Sequence, residues 1–321
     1  MARLGFLVAL VTAFVSLVVM LFALYVIKGM GPLDKSTTIV ISPGTGLGSI
    51  SLLLEDATII RSATLFSIYA RLAGVSGQLK AGEYRFGIGM SGERVINKLI
   101  NHDVVLRSIT VPEGLTSVQI IELLSREQGL SGDIEVDIPE GTLLPETYNY
   151  ELSDSRMVLV ERMKRSLTRK LSDLTNESLI SGPLRTMEQV IILASIVEKE
   201  TSQPHERARI AAVFLNRLKA GMRLQSDPTV IYGLDPTGNF RSPILRSHLA
   251  DNHPYNTYRV RGLPPGPICH PGIKSILAVL SPELTDELYF VADGSGGHAF
   301  SRNLAEHNRN VRFWRQQKIK K

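Results

Sequence analysis

The chain contains, at residues 187–201, the stretch MEQVIILASIVEKET, and this stretch decides how its second half folds. The apolar residues recur with helical spacing and, at about 100° per residue, form one arc. That arc contains Val190, Leu193, Ala194, Ile196 and Val197. The polar side carries Glu188, Ser195 and Lys199, with Glu198 near its edge. Glu200 projects further round, over Leu193, Ile196 and Val197, so the predicted helix directs one carboxylate toward its buried side.

The predicted position of Glu200 has consequences for its acidity. Burial disfavours the ionised form of a carboxyl group, and the negative end of the helix dipole disfavours it further. Both effects raise the pKa, as a general acid that works near neutral pH requires. From the helix alone, two alternatives stay open: Glu200 is paired with an arginine, or it is turned out to solvent.

The segments after this helix are rich in amides, hydroxyls and aromatic rings on loops that contain Gly and Pro. They are residues 222–232 (MRLQSDPTVIY), 255–258 (YNTY), 262–268 (GLPPGPI) and 289–300 (YFVADGSGGHAF). Planar amides hydrogen-bond sugar hydroxyls and rings stack on pyranose faces, although turns contain such residues for structural reasons as well. These segments indicate a sugar-binding cleft.

We predict a second domain over residues 136–321, of α+β class. It opens with the turn-rich residues 139–148, followed by helices over 154–172 and 186–201. After Ser202 and Pro204 a further helix runs to Gly221, a residue typical of a helix C-terminus. Short strands and loops follow, and residues 303–320 have the composition of a final helix.

We predict a smaller α+β module over residues 37–135. Its sequence twice gives the order strand, Pro/Gly turn and short amphipathic helix, at 38–54 and at 108–124. Between them lie a strand entering from a turn at 79–86 and a helix over 91–101 with Ser91 as its cap. The pattern resembles a LysM-type peptidoglycan-binding module, and a generic small α+β domain is the alternative.

Residues 6–27, FLVALVTAFVSLVVMLFALYVI, form an uncharged apolar run long enough to cross a hydrocarbon core of about 30 Å as a helix. A cleavable signal peptide is the alternative, but its apolar region would span about 7–15 residues and end in small residues. We therefore predict a cytoplasmic head of residues 1–5, a transmembrane helix over 6–27 and a polar linker over 28–36. Arg3 and the free amine oppose Lys28 and Lys35, so charge alone leaves the orientation unsettled.

Composition limits the other classes of function. A hydrophobic fraction of 44% and a charged fraction of 21% are those of a globular protein. Cys269 is the only cysteine, which excludes an intrachain disulfide, and we expect it to be a small buried hydrophobe. His248, His253, His270 and His298 lack the spacing of metal ligands, so we expect neither a metal nor a cofactor.

The net charge of +5 is mild, and the densest basic run is the tail at 309–321. This tail is either a solvated helix end or a contact for an acidic polymer or lipid head groups. No motif supports nucleic-acid binding.

Together and in this order, these segments resemble the endolytic murein transglycosylases, the MltG or YceG-like family. The likeness covers nearly the whole chain and is most specific over residues 191–300. The catalytic glutamate of that family is the second one in the string VEKET, residues 197–201, which is Glu200 here. The family strings LQxDPTxxY and YNTY match residues 224–232 and 255–258.

The resemblance implies a lyase, anchored in the inner membrane, that cuts peptidoglycan glycan strands on the periplasmic side. Cell-wall synthases are its expected partners. Candidate substrate-binding residues are Gln225, Asp227, Tyr232, Asn256, Tyr258 and His298. We interpret Asp227, in a DPT turn, as an orienting or turn-capping residue, and His298 either as part of the cleft or as a turn residue.

The resemblance also implies a mechanism. Glu200 would protonate the glycosidic oxygen between N-acetylmuramic acid (MurNAc) and N-acetylglucosamine (GlcNAc). Its carboxylate would then take the proton from the MurNAc 6-hydroxyl, giving a 1,6-anhydro end. No water is consumed, so no second carboxylate is needed, whereas ordinary glycosidases use a pair. Two alternatives remain: a muramidase that uses Glu200 with Asp227, and a non-catalytic, membrane-tethered scaffold that binds peptidoglycan.

Overall fold

We describe the chain from a computed structural model that covers residues 2–175 and 182–319. It divides into two compact units, each with helices and strands. The first comprises Met1–Arg107 and Asn149–Ser153, and the second comprises Ser108–Tyr148 and Asp154–Lys321. Residues 1, 320 and 321, which belong to the predicted head, terminal helix and basic tail, lie outside the described residues.

The first element, α1 (Ala2–Lys28), is a helix of 27 residues. Within the described residues, its stretch Gly5–Lys28 is the one helix long and apolar enough to cross a membrane. At 1.5 Å per residue it measures about 36 Å, which exceeds the roughly 30 Å of a hydrocarbon core. Thr12 Oγ1 lies 3.0 Å from Val8 O and 2.9 Å from Ala9 O, so its hydroxyl is satisfied within the helix. These features are a sign of a single-pass anchor.

The first unit continues with a strand–helix–helix–strand module. Its elements are β1 (Thr37–Ile41), α2 (Leu47–Asp56), α3 (Ala63–Leu72) and β2 (Gly82–Phe86), followed by α4 (Gly92–Ile100). β1 pairs antiparallel with β2, with Ile39 opposite Tyr84. Phe66, Tyr84 and Phe86 are fully buried in its core. Ser91 Oγ accepts a hydrogen bond from Arg94 N at 3.4 Å, which confirms it as the cap of α4.

The predicted boundary after residue 135 lies inside the second unit. The second strand–turn–helix copy is present as β3 (Arg107–Thr110) and α5 (Ser117–Arg126). From Ser108 onward, however, it groups with the second unit. The turn between β3 and α5 gives the physical reason, because Gly114 N donates to His270 O and His270 N donates to Leu115 O, each at 2.9 Å.

The second unit is built around three helices that pack on one another: α7 (Met187–Glu200), α8 (Arg207–Lys219) and α11 (Ile273–Leu280). Thr186 caps α7 by accepting a hydrogen bond from Gln189 N at 3.2 Å. The prediction that Ser195 lies on the polar side of α7 is wrong. Neighbouring segments enclose the helix at this point, and the Ser195 side chain is fully buried. Its hydroxyl donates to Ile192 O at 2.7 Å and accepts from Ile268 N at 3.0 Å.

The remaining elements lie in this unit, except that the last two residues of β5 belong to the first unit. They are β4 (Leu130–Ser131), β5 (Thr147–Tyr150), β6 (Asp154–Ser155), α6 (Arg156–Thr175), α9 (Asp227–Leu234), α10 (Arg246–Ala250), β7 (Tyr289–Ala292), β8 (His298–Ser301) and α12 (Leu304–Ile319). The strands pair two by two, as β3 with β5, β4 with β6, and β7 with β8.

The ends of α7 and α8 set the course of the segments that follow. A 3₁₀ turn, Pro204–Glu206, separates the two helices, and its proline has no N–H with which to continue a helix. At the end of α8, Gly221 adopts a φ of 65°. Gly221 N donates to Leu218 O and Met222 N donates to Arg217 O, at 3.1 and 2.8 Å. This is a Schellman motif, and it confirms the predicted helix end.

Candidate active site

Glu200 is the last residue of α7, and it lines an open cleft of ≈ 290 Å³. The cleft lies within the second unit and is lined by Glu200, Arg217, Gln225, Asp227, Tyr258, Phe290, Val291, Ala292 and His298. Five of these were candidates from the sequence and come from four different segments: Glu200, Gln225, Asp227, Tyr258 and His298. Their meeting at one cleft makes it the candidate active site.

The carboxyl group of Glu200 has an unusual acidity. Burial raises its pKa from 4.5 to about 7, and the neighbouring charge of Asp227 raises it as well. A hydrogen bond from Ser226 Oγ to Glu200 Oε1, at 2.5 Å, acts in the opposite direction, as do the charges of His298 and Arg217. Near neutral pH this group therefore exists in both protonation states, so it can give up a proton and accept one.

Asp227 is the acidic neighbour of Glu200 in the cleft. It is the first residue of α9, where the helix dipole stabilises a negative charge. The hydroxyl of Tyr258 donates to Asp227 Oδ1 at 2.7 Å. Burial, followed by this hydrogen bond, raises the pKa of Tyr258, so the phenol remains a donor at neutral pH.

Arg217 joins two walls of the cleft. Its side chain is buried, with Nε donating to Leu288 O and Nη1 donating to Leu224 O, both at 2.6 Å. The first carbonyl precedes β7 and the second precedes Gln225. The guanidinium thus fixes the distance between these segments and places a positive charge beside Glu200.

His298 is oriented by a carboxylate outside the cleft lining. Glu206 Oε2 lies 2.7 Å from His298 Nδ1, and Glu206 Oε1 accepts from His298 N at 2.8 Å. Burial alone would raise the pKa of Glu206, but the hydrogen bonds from His298 and Thr201 outweigh it and the pKa is lowered. The ionised Glu206 therefore accepts from Nδ1–H, which leaves Nε2 of the ring free to act on a substrate.

The loop at Gly297 allows this close approach. A Cβ at that position would lie 2.8 Å from Glu206 Oε1, closer than side chains tolerate. A side chain at this position would therefore have to displace the Glu206 carboxylate that contacts His298.

The backbone before α9 has an uncommon conformation. Gln225 has a φ of 53°, in the left-handed region that side chains other than glycine rarely adopt. Two hydrogen bonds stabilise it, from Gln225 N to Thr257 O at 3.1 Å and from Ser226 N to Thr257 Oγ1 at 2.9 Å. They hold the hydroxyl of Ser226 against Glu200 and keep Gln225 at the cleft wall.

Asn256, a predicted substrate-binding residue, does not line the cleft. Its side chain is 1% exposed, and its amide lies 2.7–3.3 Å from the carbonyl oxygens of His248, Leu249 and Asp251. These contacts stabilise the loop that leads to Tyr258.

Tyr232, also predicted to bind substrate, lines a separate cavity of ≈ 460 Å³. The same cavity contains Tyr255, whose ring centroid is 4.9 Å from that of Tyr232, and Glu140. Burial raises the pKa of Glu140 to about 7. The second unit therefore contains a second proton-binding carboxyl group, apart from the cleft.

Cys269 is buried, as predicted, and its thiol donates to Ser195 O at 3.4 Å. Burial raises its pKa, so it has no features of a nucleophile. Within residues 2–175 and 182–319, no group of three His, Cys, Asp or Glu side chains is placed to hold a metal ion.

Sequence analysis assigned no role to Ser226, Arg217 or Glu206, although Arg217 lines the cleft and the other two contact cleft residues. Ser226 lies inside the string that identified Gln225 and Asp227, and Arg217 lies in the α8 pattern. The sequence contained one weak indication of these contacts, because a polar residue within an apolar helix or a tight turn needs a hydrogen-bond partner. Which partner it meets depends on segments distant in sequence.

The cleft brings together one carboxyl group with a pKa raised to about 7 and hydroxyl, amide and aromatic side chains, an arrangement suited to an enzyme that uses general acid–base chemistry. Residues 39–313 match the YceG-like family. The chain therefore belongs to the YceG-like family.

Curated relatives and a solved structure agree with this assignment. An endolytic murein transglycosylase from Bacillus subtilis (strain 168) is 30% identical over 309 residues, covering 86% of this chain and 84% of that protein. An endolytic murein transglycosylase from Streptococcus pneumoniae (strain D39 / NCTC 7466) is 29% identical over 336 residues, covering 89% of this chain and 60% of the relative. A yceG-like protein from Listeria monocytogenes, with a crystal structure at 2.6 Å, has a TM-score of 0.53 and 30% identity, covering 86% of this chain and 98% of that one.

Proposed function

We propose that this protein is an endolytic peptidoglycan lytic transglycosylase. It cleaves the β-1,4 bond between MurNAc and GlcNAc inside glycan strands and leaves 1,6-anhydro-MurNAc ends. The observation that carries the proposal is the carboxyl group of Glu200, whose pKa is raised to about 7 in an open, polar cleft. The names of the curated relatives supply the substrate and the type of reaction.

In the first step protonated Glu200 donates its proton to the glycosidic oxygen, and the bond from that oxygen to MurNAc C1 breaks. In the second step the MurNAc 6-hydroxyl oxygen bonds to C1 and its proton passes to the Glu200 carboxylate. The residue returns to its starting state and no water enters. Because one group serves first as acid and then as base, a pKa near the working pH suits both steps.

The neighbours of Glu200 have distinct roles in this scheme. The anionic Asp227 favours the protonated form of Glu200 and stabilises positive charge that develops at C1. The hydrogen bond from Ser226 stabilises the carboxylate that forms after proton donation. Tyr258 keeps Asp227 oriented, and Gln225 and His298 supply polar groups for sugar hydroxyls or the acetamido group.

We further propose that α1 anchors the chain once in the cytoplasmic membrane, with the cleft on the extracytoplasmic side where peptidoglycan lies. The small module of the first unit would bind glycan strands, as its LysM-type resemblance implies. From this position the enzyme would terminate nascent strands near the synthases that make them. The length and apolar surface of α1 support the anchor.

Product analysis tests the reaction. Purified full-length protein is incubated with glycan strands, and the fragments are analysed by mass spectrometry, because anhydro ends are one water lighter than reducing ends. The proposal predicts anhydro ends inside the original strands. Products with added water would identify a muramidase, and no cleavage at all would favour a binding scaffold.

The variant Glu200→Gln keeps the shape of the side chain and removes the acid. We expect cleavage to fall by at least about a hundredfold. Glu140→Gln is the matched control, since it removes the other carboxyl group with a pKa of about 7 from a different cavity. Retained cleavage in Glu200→Gln, or its loss in the control alone, would refute the assignment of the acid.

A further inference from the structure

A second cavity adjoins the Glu200 cleft. It has a volume of ≈ 330 Å³ and is lined by Gly221, Met222, Arg223, Gln225 and Arg261. Gln225 also lines the cleft, so the two spaces share one wall. We call this second cavity the basic pocket, because Arg223 and Arg261 are its only ionisable lining residues.

Both arginines are available for a ligand. Their side chains are exposed, and within the part of the chain that the structure describes neither guanidinium forms an ion pair or a hydrogen bond. Other arginines of the second unit are engaged: Arg207 with Glu198, Arg209 with Glu287, and Arg302 with Asp286. The pocket therefore has an uncompensated positive charge beside the cleft.

The backbone that carries the two arginines is held in place. Arg223 lies between the end of α8 at Gly221 and Leu224, whose carbonyl accepts from buried Arg217 at 2.6 Å. Arg261 follows the turn at Asn256, where Val260 N donates to Asn256 O at 3.0 Å. The hydrogen bond from Gln225 N to Thr257 O joins the two segments. The positions of both arginines relative to the cleft are thus fixed by the fold.

We propose that the basic pocket binds a carboxylate of the peptide that is attached to MurNAc at the bond being cut. This inference rests on the proposed function. Each MurNAc carries its peptide on the lactyl group of its own ring, so a MurNAc seated at Glu200 places that peptide beside the cleft. The sugar rings are uncharged, and the free carboxylates of the peptide are the anions of the substrate. Guanidinium groups match carboxylates in charge and in bidentate geometry.

Two substrates test this inference: peptide-bearing strands with free carboxylates, and the same strands after their peptide carboxylates have been converted to neutral amides. The enzymes compared are the full-length wild type, the double variant Arg223→Gln/Arg261→Gln, and the control Arg246→Gln. Arg246 is exposed and lines neither the cleft nor the basic pocket. We measure kcat/KM for each substrate, with the thermal midpoint of each variant to verify folding.

Wild type should cut strands with free peptide carboxylates with a kcat/KM about tenfold higher than amidated strands, as two partly exposed ion pairs allow. The double variant should lose this preference mainly through KM, and the control should keep it. The preference should also shrink at high salt because the arginines are exposed. Equal rates of the wild type on both substrates, or a preference that survives in the double variant, would overturn the inference while leaving the proposed function intact. If neither substrate is cleaved, the proposed function itself is overturned.

Discussion

Removing the hydroxyl of Ser226 should make Glu200 a weaker acid. The hydrogen bond from Ser226 Oγ to Glu200 Oε1 stabilises the ionised carboxylate and therefore lowers its pKa. Ser226→Ala deletes this donor and leaves the backbone bonds of residue 226 to Thr257 and Thr229 in place. The pKa of Glu200 should rise above its wild-type value of about 7.

The size of this shift follows from the strength of the bond. A hydrogen bond to a charged group contributes about 1.5–3 kcal/mol, and one pKa unit corresponds to about 1.4 kcal/mol. The cleft is open to water, and a water molecule can replace part of the lost bond. We therefore expect the pKa of Glu200 to rise by about one unit.

The assay is the pH dependence of kcat/KM, measured from released anhydro ends. The first step needs protonated Glu200, so wild-type activity should fall as the pH rises through about 7. In Ser226→Ala this decline should occur about one pH unit higher. Ser195→Ala is the control, because it removes another buried hydroxyl that contacts α7 and the backbone of Ile268; it should lower stability without moving the decline. A decline that stays in place or moves to lower pH in Ser226→Ala would refute this account of the Glu200 environment.

Three further variants test other contacts. Glu206→Gln removes the carboxylate that orients His298. We expect kcat to fall about ten- to a hundredfold, with little change in KM or thermal midpoint. An unchanged kcat would mean that His298 does not need this orientation. Asn256→Ala should lower the free energy of unfolding, measured by urea denaturation, by about 1–3 kcal/mol, because three carbonyl oxygens lose their donor. A raised KM at unchanged stability would instead indicate that Asn256 binds substrate. Glu200→Gln should stabilise the fold by up to about 3 kcal/mol at pH 8 and hardly at pH 4. The reason is that the pKa of Glu200 is about 7 in the folded protein and 4.5 ordinarily, so the wild type loses stability as the pH rises from 4.5 to 7. Equal gains in thermal midpoint at both pH values would contradict the raised pKa.

Local signals in the sequence were sufficient to predict several features of both units. The apolar arc of 187–201 identified α7 and placed Glu200 at its end, and Gly221 marked the end of α8 by its freedom to adopt a positive φ. Ser91 was recognised as a cap because its effect is confined to the next three residues. Each of these features depends on neighbours within one or two helical turns.

Features that depend on segments distant in sequence could not be predicted from local patterns. Ser195 was placed on a polar face, yet helix α7 is enclosed and its hydroxyl meets a loop 73 residues away. The pair formed by Glu206 and His298 joins positions 92 residues apart. Nothing in either local pattern specifies the other partner. The same holds for the turn at Gly114, whose bonds to His270 carry residues 108–135 into the second unit.

The acidity of Glu200 is a balance of opposing contributions, and this balance leads to a last prediction. Asp227 raises the pKa and the Ser226 hydrogen bond lowers it. Asp227→Asn removes the charge but keeps an oxygen for the hydroxyl of Tyr258, so by itself it should move the decline in activity to lower pH. Combined with Ser226→Ala, the two shifts have opposite signs, and the double variant should decline nearer to the wild-type pH than either single variant. The profiles of all four proteins, measured on one substrate, form a double-mutant cycle. A double variant that declines at a higher pH than Ser226→Ala alone would show that Asp227 does not favour the protonated acid, and its electrostatic role in the cleft would have to be abandoned.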